Sequence, residues 1–101
     1  MSTAIPRKLR FLVEWYRPDV GGEAFDRSVA RLIECAASSS SASGDAPVHV
    51  LVTFSVPSDE VAFAVFDAGT AQAVARVCDQ AGIPAQRLTP AVDARFPTWG
   101  T

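Results

Sequence analysis

The chain has 101 residues, with 11 acidic and 9 basic side chains and a formal net charge of −2. This balance excludes an electrostatic nucleic-acid binder, because affinity for phosphates needs a marked excess of Lys and Arg. Hydrophobic residues make up 49% and charged residues 20%, which excludes a disordered or collagen-like chain. We therefore expect a single domain over residues 1–101 with one core.

The sequence carries no signal for export. Residues 1–6 lack the apolar stretch of a signal peptide, and no run approaches the ~20 apolar residues of a membrane span. We expect a cytoplasmic protein that does not bind membranes. In a reducing compartment, two cysteines are more often small buried hydrophobic residues than a disulfide, so we expect Cys35 and Cys78 to be free.

The first half of the chain predicts a strand, a helix and a loop. Residues 9–15 alternate between apolar and polar positions, which is typical of a strand, with Arg10 and Glu14 on the face opposite to Phe11. From Glu23 onward, apolar residues recur at helical spacing as far as Ala36. Residues 37–46 are small and polar, so we expect a flexible loop there.

The second half predicts a hairpin, a helix and a last strand. Residues 48–56 alternate so that Val52 and Phe54 share one face and His49 and Thr53 the other. A turn at 57–60 leads to a third strand at 61–66. Asp67 is the expected cap of a helix over about 69–81, and residues 87–92 form a strand that Pro90 places at a sheet edge.

This β-α-β-β-α-β order predicts an α+β fold, the ferredoxin-like sandwich. It has a four-stranded antiparallel sheet with both helices on one face, the first and third strands in the middle and the others at the edges. Apolar residues fall on both faces of this sheet, and one layer of two helices cannot cover both. The strand at 48–56 is an apolar edge strand, and such an edge can pair with a strand of another chain unless it is covered. We therefore expect a homodimer.

The face away from the helices is the predicted location of any binding site. It is expected to hold Arg10, Glu14, Tyr16, His49 and Thr53, a set that could bind a small polar ligand. For a catalytic role, His49 is the candidate acid or base, with Tyr16 or Glu14 as helper. The competing structural interpretation makes His49 an ordinary surface residue and pairs Glu14 with Arg10.

The C-terminal arm, residues 93–101, contains two large aromatic residues, Phe96 and Trp99. Aromatic residues in a terminal arm usually pack into a groove. Trp99 is therefore a ligand-binding candidate that could cover a pocket on the open face. The alternative is an arm that completes the edge of the core, and the sequence leaves both open.

Two segments, Arg10-Phe-Leu-Val-Glu14 and Ala81-Gly-Ile-Pro-Ala-Gln-Arg87, resemble a family of small bacterial nickel-binding proteins with a ferredoxin-like fold. The resemblance covers roughly residues 8–92 and implies a homodimer, with nickel bound through histidines. At the places of the family's histidines this chain has Val52 and Val77. His49 is the remaining candidate ligand, and one imidazole makes a poor nickel site, so we predict no cofactor.

These observations lead to three hypotheses about function. The first is a non-catalytic homodimer that binds a small molecule or a protein partner and lacks the metal histidines of the family it resembles. The second is a small dimeric enzyme, similar to monooxygenases or cyclases, that acts on an apolar or aromatic substrate. The third is a metal carrier in which His49 and Glu14 meet across a dimer axis.

Overall fold

The computed structural model describes residues 9–42, 47–93 and 95. Its elements are β1 (Leu9–Tyr16), α1 (Glu23–Ala42), β2 (His49–Val56), β3 (Val61–Ala68), α2 (Ala71–Gln80) and β4 (Arg87–Thr89), with a 3-10 turn at Pro57–Asp59. The strands form one antiparallel sheet in the order β2-β3-β1-β4. This confirms the predicted α+β ferredoxin-like fold, with β1 and β3 in the middle of the sheet.

The core lies between the sheet and the two helices. From β1, Phe11, Val13 and Trp15 are at most 1% exposed, which confirms the period-two pattern of that strand. They form one cluster with buried residues of both helices: Phe25, Leu32, Ala36, Val74, Val77 and Cys78. Both helices therefore cover the same face, called here the covered face. The opposite face is called the open face.

Helix α1 begins at Glu23 as predicted and continues to Ala42. The loop predicted at 37–46 is therefore wrong for residues 37–42, and residues 43–46 lie outside the described part of the chain. Alanine is the strongest helix former and serine is only mildly unfavourable, so a tract of the two can extend a helix that is already nucleated. Among the described residues, no helix is long and apolar enough to cross a membrane.

Helix α2 is capped by a different residue from the one predicted. The hydroxyl of Thr70 accepts a hydrogen bond from the backbone N–H of Ala73 at 3.1 Å, so Thr70 is the N-cap. Asp67 instead lies within β3. The helix ends as expected, because Gly82 follows with φ of +80°, the left-handed conformation that glycine adopts without strain.

A β-bulge in β2 overturns the predicted alternation of that strand. Val50 pairs with Phe66 and Val52 with Val65, so the register shifts at Leu51. Every residue after Leu51 therefore changes face. Val52 and Phe54, expected under the helices, lie on the open face, and Thr53 lies on the covered face.

Strand β4 is shorter than predicted and ends at Thr89, directly before Pro90. It pairs only with β1, which confirms its position at an edge of the sheet. The chain remains beside β1 for a little longer, since the N–H of Val92 donates to the carbonyl of Arg10 at 3.0 Å. Phe96 and Trp99 lie outside the described residues, so the predicted role of the arm is not addressed.

Candidate functional site

The open face can be reconstructed from the strand register, because residues paired across neighbouring strands point to the same side of a sheet. Pairing places its side chains in four rows across the strands. These rows are His49–Asp67–Arg10, Val52–Val65–Leu12–Thr89, Phe54–Phe63–Glu14–Arg87, and Val56–Val61–Tyr16. Apolar residues therefore dominate β2 and β3, while polar residues dominate β1 and β4.

A polar row crosses one end of the open face. The guanidinium Nε of Arg10 lies 3.3 Å from Oδ1 of Asp67, and His49 is opposite Asp67 on the next strand. The row brings together two of the predicted candidates, Arg10 and His49. Sequence reasoning missed Asp67 because the predicted third strand ends at residue 66, two residues too early. Continuing its alternation from Phe63 and Val65 would have placed Asp67 on this face.

Glu14 has other partners than the one predicted. It accepts a hydrogen bond from the hydroxyl of Tyr16, and its Oε2 lies 3.5 Å from Nε of Arg87. Arg10, the expected partner, is paired with Asp67 instead. Glu14 pairs with Arg87 because Arg87 is directly opposite to it on the neighbouring strand β4. Glu14 is 9% exposed, so its carboxylate is held by neighbours in a largely buried position.

The hydrogen bond between Tyr16 and Glu14 also affects the tyrosine. It raises the pKa of Tyr16 above its usual 10, with smaller contributions from burial and from the charge of Glu14. The charge of Arg87 acts in the opposite direction. The phenol is therefore protonated at neutral pH, where it can donate a hydrogen bond but cannot act as a base.

The structure does not bring His49 and Glu14 together within one subunit. They lie on strands separated by β3, about 10 Å apart, and their partners Asp67 and Phe63 are four residues apart along β3, a further ~13 Å. The part of the chain that the structure describes contains no group of three or more His, Cys, Asp or Glu able to hold a metal ion.

Neither cysteine forms a disulfide, as predicted. Burial raises the pKa of Cys78 to about 12, with a smaller contribution from the charge of Asp79. At neutral pH the thiol is therefore protonated, and a protonated thiol is a poor nucleophile.

The other half of the open face is an apolar surface, called here the apolar patch. It consists of Val52, Phe54, Val56, Val61, Phe63 and Val65. The rings of Phe54 and Phe63 are stacked with centroids 4.8 Å apart, yet Phe54 remains 50% exposed and Val56 36%. The bulge adds Val52 and Phe54 to this patch, because without the register shift they would point towards the helices.

The predicted ligand-binding set is therefore only partly assembled. Arg10, Glu14, Tyr16 and His49 lie on the open face as expected. Thr53 does not, because the bulge turns it to the covered face, and Trp99 lies outside the described residues. A scan against protein-family models, a search of curated proteins and a search of solved structures each found no match to this chain.

Proposed function

We propose that the protein is a non-catalytic homodimer in which two open faces pack against each other and enclose a site for a small ligand. The observation that carries this proposal is the apolar patch. In one subunit Phe54 and Val56 are exposed, and Val52 and Phe63 are partly exposed beside them. Contiguous exposed apolar surface on a soluble protein usually marks an interaction site.

A second copy of the chain is the occupant that suits the patch. In a two-fold dimer each subunit contributes the same surface, so the surface must be complementary to itself. The patch contains only apolar side chains and can pack against itself without burying a charge. The polar residues around it carry both signs, with Arg10 and Arg87 as cations and Asp67 and Glu14 as anions, so two copies can avoid contacts between like charges.

The ligand site lies where the apolar patch meets the polar half of the face. Phe63 and Glu14 are direct neighbours in one row, with Arg87 beyond them. Arg87 is 67% exposed in its side chain and therefore free to donate to a ligand as well as to Glu14. This border favours a small molecule with an apolar body and a polar, electron-rich end, as in many small-molecule sites.

Sedimentation velocity tests the dimer. Phe54→Asp places a charge at the centre of the apolar patch, and we expect it to convert a micromolar dimer to a monomer. Ile33→Asp is the matched control, because Ile33 is equally exposed at 50% but lies on α1. It should leave the dimer intact. A wild-type protein that is monomeric at micromolar concentration, or equal dissociation by both variants, would contradict the proposal.

The resemblance to the nickel-binding family remains part of the proposal, as does a cytoplasmic location. The fold and the quoted segments support the resemblance, and the altered histidine positions argue for a member without nickel. Metal analysis of purified wild type and His49→Ala tests this. Stoichiometric nickel that is lost in His49→Ala would replace the proposal with a metal carrier that uses His49 at the dimer interface.

The enzyme hypothesis makes a different prediction about the same face. An acid or base at His49 needs a ligand within hydrogen-bonding reach, together with a dependence of turnover on the ionisation of His49. Screening aromatic substrates for turnover by wild type and His49→Ala tests this. Turnover that is lost in His49→Ala would show a catalytic protein, and binding without turnover supports the non-catalytic one.

A further inference from the structure

A wide groove lies on the outside of the helix layer, where the N-terminal half of α1 meets the C-terminal end of α2. It is called here the helix groove. Its volume is about 690 Å³, which is within the range of small-molecule sites. Residues 80–82 form one wall, and α1 contributes the other, with Ala24, Arg27, Ser28, Ala30, Arg31 and Glu34. No strand residue lines the helix groove, so it is separate from the open face on which the proposed function depends.

The walls of the helix groove are accessible to a ligand. Arg27, Arg31 and Glu34 are exposed, and Ser28 is half-buried. A β-carbon at Gly82 would have no described atom within 4 Å, so the space beside this residue is open. A ligand can therefore contact these residues without any rearrangement of the core.

The helix brings two arginines together at this wall. Arg27 and Arg31 are four residues apart on α1, so their side chains start one turn apart, with Cβ atoms roughly 6 Å from each other. Guanidinium groups on such stems can converge on one anion. A phosphate group, with three terminal oxygens and a charge near −2, can accept hydrogen bonds from two guanidiniums, whereas one guanidinium already occupies both oxygens of a carboxylate.

The two arginines have no partner within the described part of the subunit. Four of the seven described arginines form an ion pair with a carboxylate, whereas Arg27, Arg31 and Arg76 form none with a described residue. Glu23 and Glu34 lie within one turn of the pair on the same helix, yet neither forms an ion pair with it. The donors of both guanidiniums are therefore available to a ligand.

The rest of the helix groove offers hydrogen-bond acceptors. The carbonyls of Gln80 and Ala81 accept no backbone hydrogen bond from any described residue, as is usual at a helix C-terminus. The hydroxyl of Ser28 donates to the carbonyl of Ala24 at 3.2 Å and keeps its lone pairs as acceptors. Together with the carboxylate of Glu34, these groups suit hydroxyl donors on a ligand and disfavour a second anion.

We propose that the helix groove binds a small phosphate monoester whose body carries hydroxyl groups, the class of the sugar phosphates. The phosphate accepts hydrogen bonds from Arg27 and Arg31. The hydroxyl groups of the body donate to the carbonyls of Gln80 and Ala81 and to the carboxylate of Glu34. This arrangement places the negative end of the ligand on the positive wall and its donors on the wall that carries acceptors.

Amide chemical-shift titrations of the full chain at constant ionic strength test the class of ligand, with glucose 6-phosphate, inorganic phosphate and glucose as probes. We expect glucose 6-phosphate to give saturable shifts at residues of the helix groove. Inorganic phosphate and glucose should each bind at least about three-fold more weakly. The absence of saturable shifts with glucose 6-phosphate would overturn the proposal, and so would equal binding of either of the other two probes.

Substitution of the arginines tests the site. Arg27→Gln and Arg31→Gln should each weaken the binding of glucose 6-phosphate at least about five-fold. Arg76→Gln is the matched control, because Arg76 is also exposed and without an ion pair to a described residue but lies on α2 outside the helix groove. It should change the binding by less than about two-fold. Equal effects of the three variants would show that only net charge matters and would overturn the proposal.

The helix groove and the dimer can be tested independently, because Phe54 lies on the open face and does not line the helix groove. Phe54→Asp should therefore leave the binding of glucose 6-phosphate unchanged. A wild-type protein that is monomeric yet binds glucose 6-phosphate would contradict the proposed function and support the sugar-phosphate site. A dimer that gives no saturable shifts would do the reverse.

Discussion

Similar aromatic residues are buried on one face of the sheet and exposed on the other. On the covered face, Phe11 and Trp15 are 1% exposed, whereas Phe54 on the open face keeps 50% of its surface in contact with solvent. The charged residues of the described strands all lie on the open face: Arg10, Glu14, Asp67 and Arg87. Hydrophobicity of a strand residue therefore does not by itself locate the core, whereas the side on which the charged residues of the strands lie identifies the face away from the helices.

This difference indicates two separate requirements on the sequence. The covered face has to exclude water to hold the helices, and the polar residues on it, Thr53 and Ser55, lie on the edge strand β2. The open face keeps a carboxylate largely buried with specific partners and leaves aromatic rings uncovered. Neither feature buries apolar surface against the helices, and both are the observations from which the dimer and its ligand site are proposed.

The largest expected effect is a loss of stability caused by a substitution on the covered face. Trp15→Ala removes a buried ring, its contact with Phe25 and its hydrogen bond to Ile83, and we expect a loss of about 3–5 kcal/mol in the free energy of unfolding. Urea denaturation measures it. The matched change on the open face, Phe54→Ala, should cost only about 1–1.5 kcal/mol when it is measured on the monomer. Equal costs would contradict the distinction between the faces.

Alkaline pH should lower the free energy of unfolding because of Cys78, which lies in the core between the helices and the covered face. Its thiol has a pKa of about 12 when folded, against a usual value near 8.5 in an unfolded chain. Between these values the unfolded state has lost the proton that the folded state keeps, so stability falls as pH rises, by up to about 1.4 kcal/mol per pH unit. Below pH 8 this contribution is constant.

Urea denaturation between pH 8 and 11 measures this loss. Cys78→Ala should remove that part of the slope, even though it lowers stability at every pH. Cys35→Ala is the matched control, since Cys35 is the other free cysteine and lies in the other helix, and it should keep the slope. The same steepness in all three proteins would show that other groups cause the alkaline loss.

Deleting Leu51 tests how residues are assigned to the two faces. The deletion removes the extra residue of the bulge and leaves Thr53 on the covered face and Phe54 on the open face, so we expect a cost below about 1 kcal/mol. Deleting Ala64 from the regular strand β3 shifts all following residues to the wrong face and should abolish folding. Circular dichroism and urea denaturation distinguish them. Unfolding by the Leu51 deletion would contradict the bulge.

The smallest expected effect concerns the polar network of the open face. The chain contains one tyrosine, so absorbance near 295 nm reports on Tyr16 alone. Its pKa should lie above 10 in the folded protein and move down towards 10 in Glu14→Gln. Arg87→Ala should raise it further, because the positive charge of Arg87 favours the phenolate. A Tyr16 titration that Glu14→Gln does not change would exclude the hydrogen bond.

Much of the fold could be predicted because its signals are local. The alternation of β1, the start of α1 at Glu23 and the stop of α2 at Gly82 each depend on a few neighbouring residues, and all were confirmed. The order of elements then leaves one common arrangement of the strands. The extension of α1 through its serines was missed because a polar tract can continue a helix or leave it, and composition does not decide between them.

The candidate site was predicted less well because its ion pairs join side chains on neighbouring strands that are far apart in the sequence. Glu14 was assigned to Arg10, two residues away, whereas its partner Arg87 is supplied by a strand far along the chain. The bulge caused the larger error, because an unbroken alternation in β2 reads the same whether or not one residue is looped out. The position of the register shift is determined by pairing with β3, whose residues alternate between the two faces without interruption.

The central position of β1 also constrains the order in which the protein can fold as it is synthesised. This strand is made first, but its neighbours β3 and β4 come from residues 61–68 and 87–89. The ribosome must therefore release the chain through residue 89 before the sheet can close. The β2–β3 hairpin can pair earlier, and during that interval α2, which shares the covered face with α1, has not yet been made. A nascent chain of this protein is most vulnerable to aggregation after Ala68 has emerged and before β4 has done so.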